Sequence, residues 1–126
     1  MATTPEGAVK RRAKAALTAV GAYTVMPVSN GMGAHGVPDF LVCHQGRFFG
    51  IEAKAGSNKP TDLQISNLRK IHEAGGVALV INETNVGLLR DILDAAHPQS
   101  NYTQFAKAPK PEGDDAPRKR APQEKR

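Results

Sequence analysis

The chain contains no tryptophan, and aromatic residues make up only 5% of it. Any core is therefore expected to be a modest one. Cys43 is the sole cysteine, which excludes an internal disulfide. It lies in an apolar run and is expected to be a small buried hydrophobe, which suits a reducing cytoplasm. The four histidines and this cysteine show no ligand spacing, so a zinc site is not expected. No run of roughly eighteen apolar residues occurs and no secretory leader pattern is seen, so neither a membrane span nor secretion is expected. There is no internal repeat.

What remains is one small domain with a tail. The chain has 126 residues, 40% of them apolar, with a formal charge of +5. Residues 107–126 hold seven Lys/Arg and four Asp/Glu, a net +3, which leaves +2 for the first 106. Apolar content collapses from Gln99 onward, so residues 1–98 are expected to fold and 99–126 to be a disordered Pro/Lys/Arg-rich tail. Such a tail is either a solvated appendage or a basic arm that raises non-specific phosphate affinity. The basic balance fits a nucleic-acid partner.

Residues 5–20 predict an amphipathic helix opened by Pro5, with Val9, Ala13, Ala16, Leu17 and Val20 on one stripe. Glu6 falls within that stripe. It is either a first-turn acid favoured by the helix dipole or a side chain aimed at a site. Lys10 and Arg11 lie on the rest of the helix, and with Lys59 they are candidate nucleic-acid contacts. Ala22–Val28 predicts a strand. Residues 29–36 contain a literal G-x-G-x-x-G at Gly31, Gly33 and Gly36. That loop runs into Val37-Pro38 and a strand rather than a helix, which rejects a dinucleotide fingerprint. Asn30 and His35 are read as loop side chains, not ligands.

The informative stretch is residues 36–54. The apolar runs Val37–Cys43 and Phe48–Ala53 flank His44-Gln45-Gly46-Arg47, the pattern of a β-hairpin. A two-residue Gln45-Gly46 loop places His44 across from Arg47 and, further along the ladder, Asp39 across from Glu52. Cross-strand neighbours lie about 5 Å apart at Cβ, and facing like charges destabilise a sheet. Lys54 leaves the same face of its strand as Glu52. Two facing acids with a lysine beside them form either a salt-bridge network or a site for a hard cation such as Mg²⁺ or Mn²⁺.

Downstream, Thr61-Asp62-Leu63-Gln64 carries a capping-box signature for a second helix, ended by Gly75-Gly76. Gln64 also begins the face that should pack on the sheet. Val77–Ile81 predicts a strand buried on both sides. A last helix is expected from a Thr84 cap to about Ala96, with Val86, Leu89 and Leu93 inward. A helix between Lys54 and Val77 is long enough to make the last strand parallel to its neighbour.

Gly36-Val37-Pro38-Asp39, then Ile51-Glu52-Ala53-Lys54, then Gln64 resembles the PD-(D/E)XK nuclease superfamily, and within it the virus-type replication-repair nuclease (VRR-NUC) domain. The resemblance spans roughly residues 5–93. It implies an α/β, restriction-endonuclease-like core in the order α-β-β-β-α-β-α with a mixed sheet of about four strands. The implied activity is Mg²⁺- or Mn²⁺-dependent hydrolysis of DNA phosphodiester bonds. Asp39, Glu52, Lys54, Gln64 and Glu6 would be catalytic, with Asp39, Glu52, the Ala53 backbone carbonyl and, as a candidate further ligand, Glu6 on the metal. Small stand-alone members of that family tend to be phage or bacterial proteins that act on branched DNA as homo-oligomers. A domain this small covers one strand's site, so it is expected to form a homodimer or larger homo-oligomer in the cytoplasm. The alternative class is a non-catalytic nucleic-acid-binding subunit with a nuclease-like fold.

Overall fold

The computed structural model describes residues 4–28 and 35–106. Asn30, Gly31, Gly33 and the basic segment 107–126 lie outside the described residues.

The first helix, α1 (Pro5–Ala19), starts where the sequence sets it: Thr4 Oγ1 accepts the Gly7 N–H at 2.9 Å and Pro5 takes the first turn. Its inward stripe buries Val9, Ala13 and Leu17. The strand β1 is shorter than expected and covers only Tyr23–Val25. The hairpin strands are β2 (Phe40–His44) and β3 (Arg47–Ala53). Between them Gln45 and Gly46 both take positive φ, 53° and 80°, the conformation of a tight two-residue turn. The turn fixes the expected register, with His44 opposite Arg47 and Phe40 opposite Ile51. The second helix, α2 (Asp62–Glu73), then returns the chain to β4 (Val77–Ile81), which pairs parallel to β3. The result is one mixed sheet in the order β1-β2-β3-β4.

Two cores sandwich it. On one face Val9, Ala13 and Leu17 of α1 meet Phe40, Val42, Phe49, Ile51 and Leu79. On the other, Ile65 and Leu68 of α2 meet Ala78 and Val80. The helix α2 comes so close to β3 that a Cβ on Gly50 would lie 2.4 Å from Ile71 Cδ1. As expected, β4 is buried throughout.

Three expectations need correction. Cys43 is exposed, not buried. Alternation along β2 buries Phe40, Val42 and His44 and turns Cys43 to the opposite face. The inward histidine is satisfied by Asp94, whose Oδ1 lies 2.7 Å from His44 Nε2.

The last helix does not run from Thr84. Asn82 Oδ1 accepts both the N–H and the hydroxyl of Thr84, at 2.9 and 2.6 Å, and closes a turn there. A 3₁₀ turn, Val86–Leu88, follows, and the α-helix proper is α3 (Leu89–Asp94). Val86, Leu89 and Leu93 do point inward.

The fold also extends past Pro98. Ser100 and Asn101 act as a short artificial strand along β4. The Ser100 hydroxyl accepts the Ala78 N–H at 2.8 Å, and Asn101 Oδ1 accepts the Val80 N–H at 2.7 Å. In return Asn101 donates its N–H to the Ala78 carbonyl and its Nδ2 to the Val80 carbonyl, both at 3.0 Å. A 3₁₀ turn, Tyr102–Phe105, then buries Tyr102 against α2. Low apolar content conceals this segment, because it attaches chiefly by hydrogen bonds.

Candidate active site

Asp39 stands one residue before β2, at the end of the hairpin away from its turn, and the register carries it across from Glu52. Its Oδ2 accepts the N–H of Ala53 at 2.9 Å, so the backbone of β3 aims the carboxylate. Its other oxygen, Oδ1, lies 3.4 Å from Lys10 Nζ. Lys10 also reaches Glu6 Oε2 at 3.9 Å, one helical turn away. The helix α1 therefore delivers an acid and a base together to the hairpin's open end.

Glu52 is 2% exposed, a carboxyl inside the sheet sandwich. Lys54 Nζ sits 3.6 Å from its Oε2, and Oε1 is buried without a hydrogen-bond partner. Burial, followed by the charge of Asp39, pushes its pKa up to about 8 against the downward pull of Lys54, and Glu6 adds a smaller push upward. A buried carboxyl with one bare oxygen can be satisfied there by a proton, a water or a cation.

The sequence places Asp39, Glu52 and Lys54 together, and they are together, with Glu6 linked through Lys10. From sequence Lys10 is a candidate contact for nucleic acid. Its ammonium lies 3.4 Å from Asp39 Oδ1. The Glu6–Lys10 spacing of one turn, combined with an inward Glu6, is the signal for this. Gln64 completes the capping box: its Oε1 accepts the Thr61 N–H at 2.9 Å, while Thr61 Oγ1 accepts the Gln64 N–H at 3.2 Å. Its side-chain oxygen is committed to the helix cap. Arg11 is exposed on α1 and Lys59 is exposed in the segment 54–61 that follows β3.

Sequence reasoning misses Glu83. Both of its carboxylate oxygens accept the Gly56 N–H at 3.0 Å, tying down the loop just beyond Lys54. Its pKa is lowered by hydrogen bonds from its own N–H and from Gly56. No pattern around Glu83 announces that contact, because the two residues lie on different loops.

Among the described residues, no group of three or more His, Cys, Asp or Glu side chains could hold a metal ion. The side-chain donors at the hairpin end are Asp39, one residue before β2, and Glu52 of β3, with the Glu6 carboxylate paired to Lys10. This donor set suits a hard, oxygen-seeking cation bound partly through backbone and solvent oxygens rather than by a closed cage. The bare Glu52 Oε1 is the oxygen that such a cation would satisfy.

Among the described residues no helix is long and apolar enough to cross a membrane. No protein-family model matches the chain, and no curated protein matches it in sequence.

Proposed function

We propose that the chain is a Mg²⁺- or Mn²⁺-dependent DNA nuclease that hydrolyses phosphodiester bonds. The observation that carries the reading is Glu52, buried with an unpartnered oxygen and a raised pKa, across from Asp39 and beside Lys54. An acid in that state costs stability unless it serves a ligand. The element order α1-β1-β2-β3-α2-β4-α3 is in keeping with the restriction-endonuclease-like core that the VRR-NUC resemblance implies.

A phosphodiester resists attack because its own charge repels nucleophiles and its transition state gains more. Asp39, Glu52 and the Ala53 carbonyl would hold a divalent cation, which would supply a counter-charge and acidify nearby water. The rest of the work belongs to the chain. Ala53 N–H fixes the direction of Asp39. Burial holds Glu52 rigid, and Lys54 favours its charged form. Lys54 also supplies a positive charge at the edge of the acid pair, where it can donate to a phosphoryl oxygen. Glu6 provides a further acid for orienting water once Lys10 turns toward phosphate.

The test is cleavage of a panel of labelled DNA structures, branched ones included, with Mg²⁺, with Mn²⁺ and with chelator. Metal-dependent products that vanish in Asp39→Asn are expected. Equal products with chelator, or none on any structure, would sink the reading. A second reading has its own support: each acid already has an ammonium, Lys10 on Asp39 and Lys54 on Glu52. If the protein binds DNA but never cuts it, the trio is a salt-bridge network in a non-catalytic binding subunit. A homodimer belongs to the same proposal and is checked by sedimentation.

A further inference from the structure

A cleft of about 690 Å³ follows the outer side of α1, within the range of about 300–1,000 Å³ typical of ligand sites. Ala15, Ala19 and Met26 give it an apolar floor, and Lys10, Arg11 and Lys14 line it with positive charge. Met26 is 42% exposed. Lys10 belongs to two places at once, because its Nζ is also 3.4 Å from Asp39 Oδ1. The cleft is therefore joined to the candidate active site through one side chain.

The two halves of this surface call for one occupant with two natures. The positive rim favours an anionic group, with Lys14 exposed and Lys10 shared with Asp39 and Glu6, and the apolar floor favours a flat or greasy body. The chain's own segment 107–126 has the wrong sign, with seven Lys/Arg against four Asp/Glu. A second copy of the cleft would set three cations against three. Duplex DNA brings phosphates, but its bases stay in the stack and leave the floor unused. An unpaired nucleotide brings both, a phosphate for the lysines and an unstacked base for Ala15, Ala19 and Met26. An acidic peptide with apolar side chains could match both, but it gives no reason for the cleft to meet the acids at Lys10.

We infer that this α1 cleft holds an unpaired nucleotide of the DNA strand that enters the hairpin site. The inference rests on the nuclease reading and narrows its substrate to DNA with an unpaired segment beside the cut. Recognition is sequence-tolerant, because every base has an apolar face and the described floor side chains Ala15, Ala19 and Met26 carry no donor.

The experiment is equilibrium binding in chelator, without cleavage, of a labelled hairpin duplex with and without an unpaired extension. The extension should tighten binding at least about fivefold, the lower end of what one stacked base contributes. An abasic extension of equal length should lose most of that gain. Ala15→Glu, on an exposed helix position, should abolish the gain with an unchanged melting temperature, and Lys14→Gln should reduce it. Ala15→Ser should keep it. The inference is overturned if the extension gives no gain, if the abasic extension binds as well, or if Ala15→Glu keeps the gain. Competition by polyglutamate as strong as by single-stranded DNA would also overturn it and point to an acidic protein partner. Cleavage in Mg²⁺ is scored separately. A cutting enzyme with no gain loses this inference alone, whereas a gain without cutting loses the nuclease and keeps the cleft.

Discussion

The N–H of Ala53 donates to Asp39 Oδ2 at 2.9 Å, so the strand that carries Glu52 also aims the acid facing it. Asp39 is thus a structural acceptor as well as a candidate ligand, and the two roles separate by substitution. Asp39→Asn keeps an acceptor oxygen for Ala53 and should fold normally, yet lose cleavage by orders of magnitude while retaining DNA binding. Asp39→Ala strands the amide and should cost about 1–3 kcal/mol as well. Thermal melts alongside cleavage assays check both. A fully active Asp39→Asn would remove the acid from the mechanism.

Glu52 makes the metal-free protein sensitive to pH. Its folded-state pKa is raised from 4.5 to about 8, so between those values the folded chain binds a proton that the unfolded chain releases. Its contribution to stability is fully present below 4.5 and is lost as pH rises through about 8. The melting temperature in chelator should fall across that window. Glu52→Gln should flatten the fall and raise stability on the alkaline side, with cleavage abolished. Divalent cation should restore stability to the wild type and not to Glu52→Gln. An unchanged pH profile in Glu52→Gln would refute this account.

At the start of α2 the two jobs of Gln64 can be told apart. Thr61→Ala removes the cap and should cost about 1 kcal/mol. Gln64→Glu keeps the box and complements the helix dipole, so the fold should survive it. If Gln64 also serves the acids, that change adds a carboxylate beside them and kcat should drop. Wild-type kinetics in a stable Gln64→Glu would leave only the cap.

The end of the fold is tested by two truncations. Removal of residues 107–126 should leave the melting temperature nearly unchanged. If those residues neutralise phosphates, the salt dependence of DNA binding should flatten, by about one unit of slope for each phosphate no longer neutralised. Cutting after Pro98 removes the Ser100 and Asn101 bonds to β4 and the buried Tyr102. That should cost about 2–5 kcal/mol. Equal melting temperatures for the two truncations would contradict the role given to Ser100 and Asn101.

What the sequence reveals follows from short-range rules. Gln45-Gly46 and strict alternation are enough to pair Asp39 with Glu52, and Thr61 with Gln64 is enough to start α2. What it hides depends on contacts between distant segments. Asn101 on Val80, Glu83 on Gly56 and His44 on Asp94 join residues whose local patterns say nothing of one another. Cys43 misleads for a related reason: an apolar run suggests burial, but in a two-residue repeat only one parity of the run faces the core. Lys10 falls between these cases, since its spacing from Glu6 is visible and its reach to Asp39 is not.

Ser100 and Asn101 satisfy β4 with side chains as well as backbone, so the sheet is finished on that side without a fifth strand. A strand arriving there finds the N–H groups of Ala78 and Val80 already taken. Among the described strands the sheet is thus one-ended, with β1 as its other border. Copies of such a sheet can be joined at most once, border to border, and the joined product presents two stoppered ends. Runaway fibre growth by edge addition, the hazard of a sheet open on both sides, is closed off by two small polar residues.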